Sequence, residues 1–139
     1  MYKRYTLRDT RISEKKELFT VLSTFAGGGG SSTGYRLAGG KILAINEFVE
    51  EAQNTYRENY TDTVIVPGDI KELTGTYLME QAGVKVSELD ILDGSPPCSA
   101  FSMAGSVSHG KGNTHADAFG KKKQYSDIKL SLIHISEPT

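Results

Sequence analysis

The sequence predicts a doubly wound α/β fold on a parallel sheet, and three observations carry that reading. Short β-branched and aromatic segments alternate with segments of helical apolar spacing. The first strand-like segment runs directly into four consecutive glycines, Gly27 to Gly30. The residue types best suited to chemistry fall just after strands, on the edge where such sheets bind ligands. A chain of 139 residues is about one domain's worth. It has no apolar run near the roughly 18 residues a membrane helix needs, and no signal pattern at its start. A soluble, cytoplasmic protein without membrane contact is the expectation.

Phe19 to Phe25 is short, β-branched and aromatic, and reads as the first strand, with its loop at Ala26 to Gly34. Gly34 to Ala38 makes one or two helical turns before Gly39 and Gly40 stop it. Lys41 to Ile45 has the composition of a second strand. Phe48, Val49, Ala52 and Tyr56 recur at helical spacing, which predicts an amphipathic helix from Phe48 to Asn59 with Glu50, Glu51, Arg57 and Glu58 in solvent. A third strand follows at Thr63 to Val66 and ends at Pro67 and Gly68. Thr76 to Gln81 reads as a helix closed by Gly83, and Leu89 to Asp93 as the fourth strand. Right-handed crossovers then give the order third, second, first, fourth, with the first strand central. From about His109 the apolar periodicity dissolves into a basic loop rich in glycine and lysine, and Ile128 to Ile135 is the only later candidate element.

Charge is uneven. Lys and Arg outnumber Asp and Glu by eight to three over residues 1–41, are outnumbered eleven to three over 42–95, and lead five to three over 96–139. An acidic middle between basic ends suits a polyanion at the ends, although a solvated surface gives similar counts.

The four glycines let backbone approach a ligand closely, as nucleotide-like cofactors require; a flexible turn is the plainer alternative. Neither the dinucleotide G-x-G-x-x-G spacing nor the triphosphate G-x-x-x-x-G-K-[ST] spacing fits, which counts against a nicotinamide-dependent dehydrogenase. Glu47, just after the second strand, stands where a carboxylate accepts hydrogen bonds from ribose hydroxyls. Asp69 is suited to accept from an adenine amine or to cap the following turn. Phe25 and Phe48 can sandwich a purine or pack in the core. The single cysteine, Cys98, follows Pro96 and Pro97 after the fourth strand; such a thiol is either inert packing or a nucleophile. His109 and His115, in a glycine-rich loop, read as solvent-exposed residues, and no metal site is expected.

Taken together, Phe25 to Gly30, Asn46-Glu47, Gly68 to Ile70 and Gly94 to Ser102 resemble the first four ordered motifs of the DNA cytosine-5 methyltransferases. The likeness runs from about Val21 to Gly105, and its Pro-Cys motif is highly specific. It implies a Rossmann-like fold of the S-adenosylmethionine-dependent type, with the cofactor S-adenosyl-L-methionine in the loop Gly27, Gly28, Gly29 and Gly30. It further implies Glu47 on the ribose, Asp69 and Ile70 on the adenine, and Phe25 and Phe48 packed around the cofactor. Cys98 would be the nucleophile and Pro97 its positioning neighbour. DNA with a flipped cytosine would be the partner, in a restriction-modification setting. One departure is Ser23, where many members carry an acidic residue two positions before the phenylalanine.

The family's Glu-Asn-Val and Arg-x-Arg motifs, target-recognition region and final cofactor motif have no counterpart in the 139 residues. The resemblance therefore implies the N-terminal part of a methyltransferase, inactive alone. Residues 1–18 read as an N-terminal extension, 19–105 as the cofactor and nucleophile part, and 106–139 as a basic active-site loop followed by a truncated or non-native tail. A catalytically silent cofactor- or nucleic-acid-binding module and an RNA cytosine-5 methyltransferase are the alternatives.

Overall fold

The computed structural model describes residues 3–96, which form a four-stranded, all-parallel sheet in the order β3-β2-β1-β4. The strands are β1 (Thr20–Thr24), β2 (Lys41–Glu47), β3 (Val64–Pro67) and β4 (Ile91–Gly94). The helices are α1 (Leu7–Glu14), α2 (Gly30–Leu37), α3 (Glu50–Asn59) and α4 (Gly75–Ala82), with 3₁₀ turns at Ile70–Glu72 and Val86–Glu88. Expected strand order and observed strand order agree, because successive right-handed crossovers from a central first strand leave few other arrangements.

Both faces of the sheet are covered, so the central strands bury apolar residues on both sides, with the buried polar residues Ser23, Thr24, Asn46 and Glu47 gathered at their carboxyl ends. On one face Val21, Ile42 and Ile45 pack against Tyr56 and Tyr60 of the α3 segment, with Phe19, Tyr35 and Ile91 at the margin. On the other, Leu22, Ala44 and Val66 pack against Ile70 and against Leu78 of α4. Leu78 is fully buried, and burying a leucine is worth about 1.5–3 kcal/mol. Gly40 is required by sterics, since a Cβ there would collide with the Phe19 ring.

Four elements depart from the sequence reading. Residues 1–18 hold α1, for which no element was expected. Its signal is a capping box: Asp9 Oδ2 accepts from the Thr6 N–H at 2.8 Å, and Thr6 Oγ1 accepts from the Asp9 N–H at 3.4 Å. α2 begins at Gly30 rather than Gly34; low helix propensity in Gly-Ser-Ser-Thr is overridden by packing, with Ser32 and Arg36 buried. α3 begins at Glu50, because β2 continues to Glu47. β4 begins at Ile91, because Leu89 caps the 3₁₀ turn Val86–Glu88 and the Asp90 side chain is taken up by Thr20, which donates through N–H to Asp90 Oδ2 at 2.7 Å and so clamps the start of β4 to β1.

A buried guanidinium joins the helix layer. Arg36 is wholly inaccessible. It donates from Nε to Glu14 Oε2 at 3.0 Å, from one terminal nitrogen to Tyr56 Oη at 3.0 Å and from the other to Thr63 Oγ1 at 2.5 Å. Its plane lies 3.7 Å from the Tyr60 ring centroid. Among the described residues, no helix is long and apolar enough to cross a membrane.

Candidate cofactor and nucleophile edge

All four strands point the same way, so their carboxyl ends bring the glycine loop, Glu47-Phe48, Gly68-Asp69 and Ser95-Pro96 to one edge of the sheet. The pivot of that edge is Asn46-Glu47. The Asn46 side chain donates to both Val66 O and Gly68 O at 3.0 Å, while its carbonyl accepts from Ala26 N at 3.1 Å. One side chain and its backbone thus fasten the ends of three strands.

Glu47 is 8 % exposed, and both of its oxygens are used. Oε2 accepts from Gly27 N at 2.7 Å and Oε1 from Val49 N at 2.8 Å. Two backbone N–H groups compensate a mostly buried carboxylate with short charge-assisted bonds. Each oxygen retains a second lone-pair direction, so the carboxylate can still accept from hydroxyls placed above it. The glycine loop is therefore shaped by the residue expected to receive the ligand.

The loop begins at Phe25, whose φ of +54° is uncommon for a non-glycine residue and marks a strained turn out of β1. Gly29 takes φ +102°, and a Cβ there would stand 3.1 Å from the Tyr56 ring. At Gly27 and Gly30 a Cβ would meet nothing within 4 Å, so these two border open space. That space, an accepting carboxylate beside it and an aromatic ring 67 % exposed at Phe48 match the chemistry of a nucleoside: close backbone, a diol and a flat apolar base.

The remaining expected residues divide. Phe25 packs its ring against the Leu22 and Ile70 cluster. Ile70 is 3 % exposed, a core residue at the root of the loop. Asp69 caps the 3₁₀ turn, accepting from Lys71 N at 3.0 Å, with the Lys71 ammonium 3.5 Å from its other oxygen. Cys98 and Pro97 lie outside the described residues.

Asp93 has a role that sequence reading did not assign. Ser23 and Asp93 are register partners across β1 and β4. Ser23 Oγ donates to Asp93 Oδ2 at 2.9 Å, and the Tyr35 hydroxyl of α2 reaches Oδ1 at 3.4 Å. Beside Ser23 on β1, the neighbouring strand thus supplies a carboxylate at the same level. Burial first, and then that carboxylate, raise the Tyr35 phenol above its ordinary value. Thr24 Oγ1 also donates to the Asp93 carbonyl at 3.1 Å, so β4 is tied to β1 just before it leads toward Cys98.

The family model for C-5 cytosine-specific DNA methylases matches residues 19–120. The chain belongs to that family. Among relatives of the methylase, Type II methyltransferase M.AquIA of Picosynechococcus sp. is 38 % identical over 85 residues, covering 61 % of this chain and 34 % of that protein. Type II methyltransferase M.Eco47II of Escherichia coli is 36 % identical over 97 residues, covering 70 % of this chain and 21 % of that protein. Type II methyltransferase M.HpaII of Haemophilus parainfluenzae is 38 % identical over 91 residues, covering 65 % and 23 %. The chain thus spans between about a fifth and a third of the length of the curated methylases it matches.

Proposed function

We propose that this chain supplies the cofactor-binding edge and the nucleophile of a DNA cytosine-5 methyltransferase that uses S-adenosyl-L-methionine. The observation that carries the cofactor part is the Glu47 carboxylate, 2.7 Å from Gly27 N at the mouth of an open glycine loop. When bound, S-adenosylmethionine supplies an electrophilic methyl group. Glu47 accepts from the ribose hydroxyls while its two backbone bonds hold it in place. Phe48, Asp69, Phe25 and Ile70 would hold the adenine, Asp69 as an acceptor and the others as apolar contacts. The loop Gly27, Gly28, Gly29 and Gly30 would admit the cofactor's chain against its backbone, with Gly27 and Gly30 bordering the open space and Gly28 and Gly29 packed toward Thr55 and Tyr56.

Cytosine C5 is a poor nucleophile, and the Cys98 thiolate overcomes this by adding to C6, which makes C5 enamine-like. With the methyl group supplied by bound S-adenosylmethionine, which would leave as the demethylated thioether, a base would take the C5 proton and β-elimination would return the Cys98 thiolate. Pro97 fixes the backbone that aims Cys98. The target base must leave the duplex, at a cost of a few kcal/mol.

Two measurements test the reading. Isothermal calorimetry on the chain detects S-adenosylmethionine or its demethylated product, with a dinucleotide as the failing control; preference for the dinucleotide would overturn the cofactor assignment. In the enzyme extended to the length of its relatives, a duplex carrying fluorocytosine becomes covalently attached, and Cys98→Ser abolishes attachment while leaving cofactor affinity intact. A silent binding module forms no adduct with either protein.

A further inference from the structure

Residues 3–18 present six cations, Lys3, Arg4, Arg8, Arg11, Lys15 and Lys16, and every one is exposed. None of them forms an ion pair among the described residues. The three acids of the same stretch are engaged elsewhere. Asp9 caps α1 through Thr6, Glu14 binds Arg36, and Glu17 faces Lys41 at 3.6 Å. At about 100° per residue, Arg8, Arg11 and Lys15 fall within about 60° of arc on α1. Thr10, which is buried, lies on the far side and Glu14, which is held by Arg36, on the flank, while all three cations are exposed.

Helix stability explains only part of this placement: Arg11 in the last turn and Lys15 at the C-cap suit the helix dipole, but the cations at the other end do not. Lys3, Arg4 and Arg8 gather at the N-terminal end of α1, where the helix dipole favours acids. The face is not a lipid-binding one either, since the apolar side chains exposed on α1 itself are Leu7 and Ile12, two among charged neighbours. An α-helix of eight residues is about 12 Å long, a length over which one strand of duplex DNA carries three to four phosphates at about 3.4 Å each. Arg8, Arg11 and the C-cap Lys15 are about 4.5 and 6 Å apart along the axis, so each can reach a different phosphate over that length.

We propose that the Arg8, Arg11 and Lys15 face of α1 binds the phosphate backbone of duplex DNA at a second contact, away from the base being modified. The proposal rests on the methyltransferase reading for the identity of the polyanion. Its position follows from Glu14, which reaches Arg36 in the last turn of α2 and Ile42 N at the start of β2. The end of α1 therefore lies toward the amino edge of the sheet, opposite the glycine loop. The contact adds sequence-independent affinity and leaves the cofactor edge free.

The test is fluorescence anisotropy of the 139-residue chain with a labelled duplex of about 30 base pairs, titrated at several salt concentrations. The triple variant Arg8→Ala, Arg11→Ala, Lys15→Ala should lower the slope of log K against log salt by about 2–3 and weaken binding more than about tenfold at low salt. Arg8→Lys, Arg11→Lys, Lys15→Arg should restore both, and the remote pair Arg57→Ala, Lys85→Ala should lower the slope by less than about 0.5. Circular dichroism and the urea midpoint confirm that each variant folds. An unchanged slope in the triple variant overturns the proposal, as does an equal loss per charge in the remote pair. Loss of binding to phosphatidylserine vesicles with retained duplex binding assigns the face to a lipid surface instead. A fall in mass by light scattering, with duplex binding retained, assigns it to a second copy. Calorimetry with S-adenosylmethionine separates the two readings: if the cofactor fails to bind while the triple variant still loses slope, the methyltransferase reading fails and the polyanion face stands.

Discussion

Arg36 Nε lies 3.0 Å from Glu14 Oε2, and the other Glu14 oxygen accepts from the Ile42 N–H at 3.3 Å. This pair makes α1 part of the fold rather than an appendage. Removing the acid leaves a buried guanidinium without its counter-charge, a loss that typically costs about 3–5 kcal/mol when a buried pair is broken. Glu14→Ala should therefore shift the urea midpoint strongly downward. The double variant Glu14→Ala, Arg36→Met, which removes both charges, should cost less than the sum of its two single variants.

At the cofactor edge, Glu47→Ala removes the acceptor of two backbone N–H groups and should weaken S-adenosylmethionine binding by about 1–3 kcal/mol. Glu47→Gln keeps one acceptor but turns an amide donor toward an N–H. Calorimetry should rank wild type above Gln and Gln above or equal to Ala. Equal affinity in all three would remove Glu47 from the pocket.

Two glycines of one loop should behave oppositely. Gly29→Ala places a Cβ against Tyr56 at φ +102° and should destabilise the chain by about 1–3 kcal/mol. Gly30→Ala meets nothing within 4 Å and opens α2, so its thermal midpoint should stay the same or rise. If the cofactor passes close to this backbone, Gly30→Ala should still lose affinity. Denaturation and calorimetry on the same two variants separate shape from contact.

The chain should lose stability in alkali. Burial lifts the Tyr56 phenol above its ordinary value of 10.0, although neighbouring Arg36 acts the other way, and Tyr35 is raised by burial and by Asp93. The unfolded state then releases these protons first as pH rises. The stability both groups contribute is complete below about pH 10 and is lost as pH climbs through their folded values. Urea midpoints at about pH 8 and about pH 11 should show the fall, and Tyr35→Phe should reduce it.

Strand order and the ligand edge were legible because they depend on alternation and on loops following strands, features that survive in one dimension. Glu47 could be picked out by its place near the carboxyl end of β2, although the strand runs through it and does not stop at Ile45, and its bond to Gly27 depends on how β1 and β2 align. Asp93 was passed over for the same reason: only the register sets it beside Ser23. α1 was missed because its apolar residues lack helical spacing, leaving the Thr6-Asp9 capping pair as the one local sign. Arg36 was missed because an arginine is a surface residue by every compositional rule, and its burial needs four partners that are far apart in sequence.

The Thr20 to Asp90 clamp joins residues 70 positions apart, and β1 pairs on both sides with strands made after it. During synthesis the central strand is thus the first to emerge and the last to be completed. β2 can reach it after one short crossover, whereas its other edge stays open until β4 leaves the ribosome. Folding must wait for this late closure, and the interval exposes Val21 and Leu22 to any other extended chain nearby. Pairing with β4, clamped by this bond, is what covers the edge of β1 that β2 leaves open.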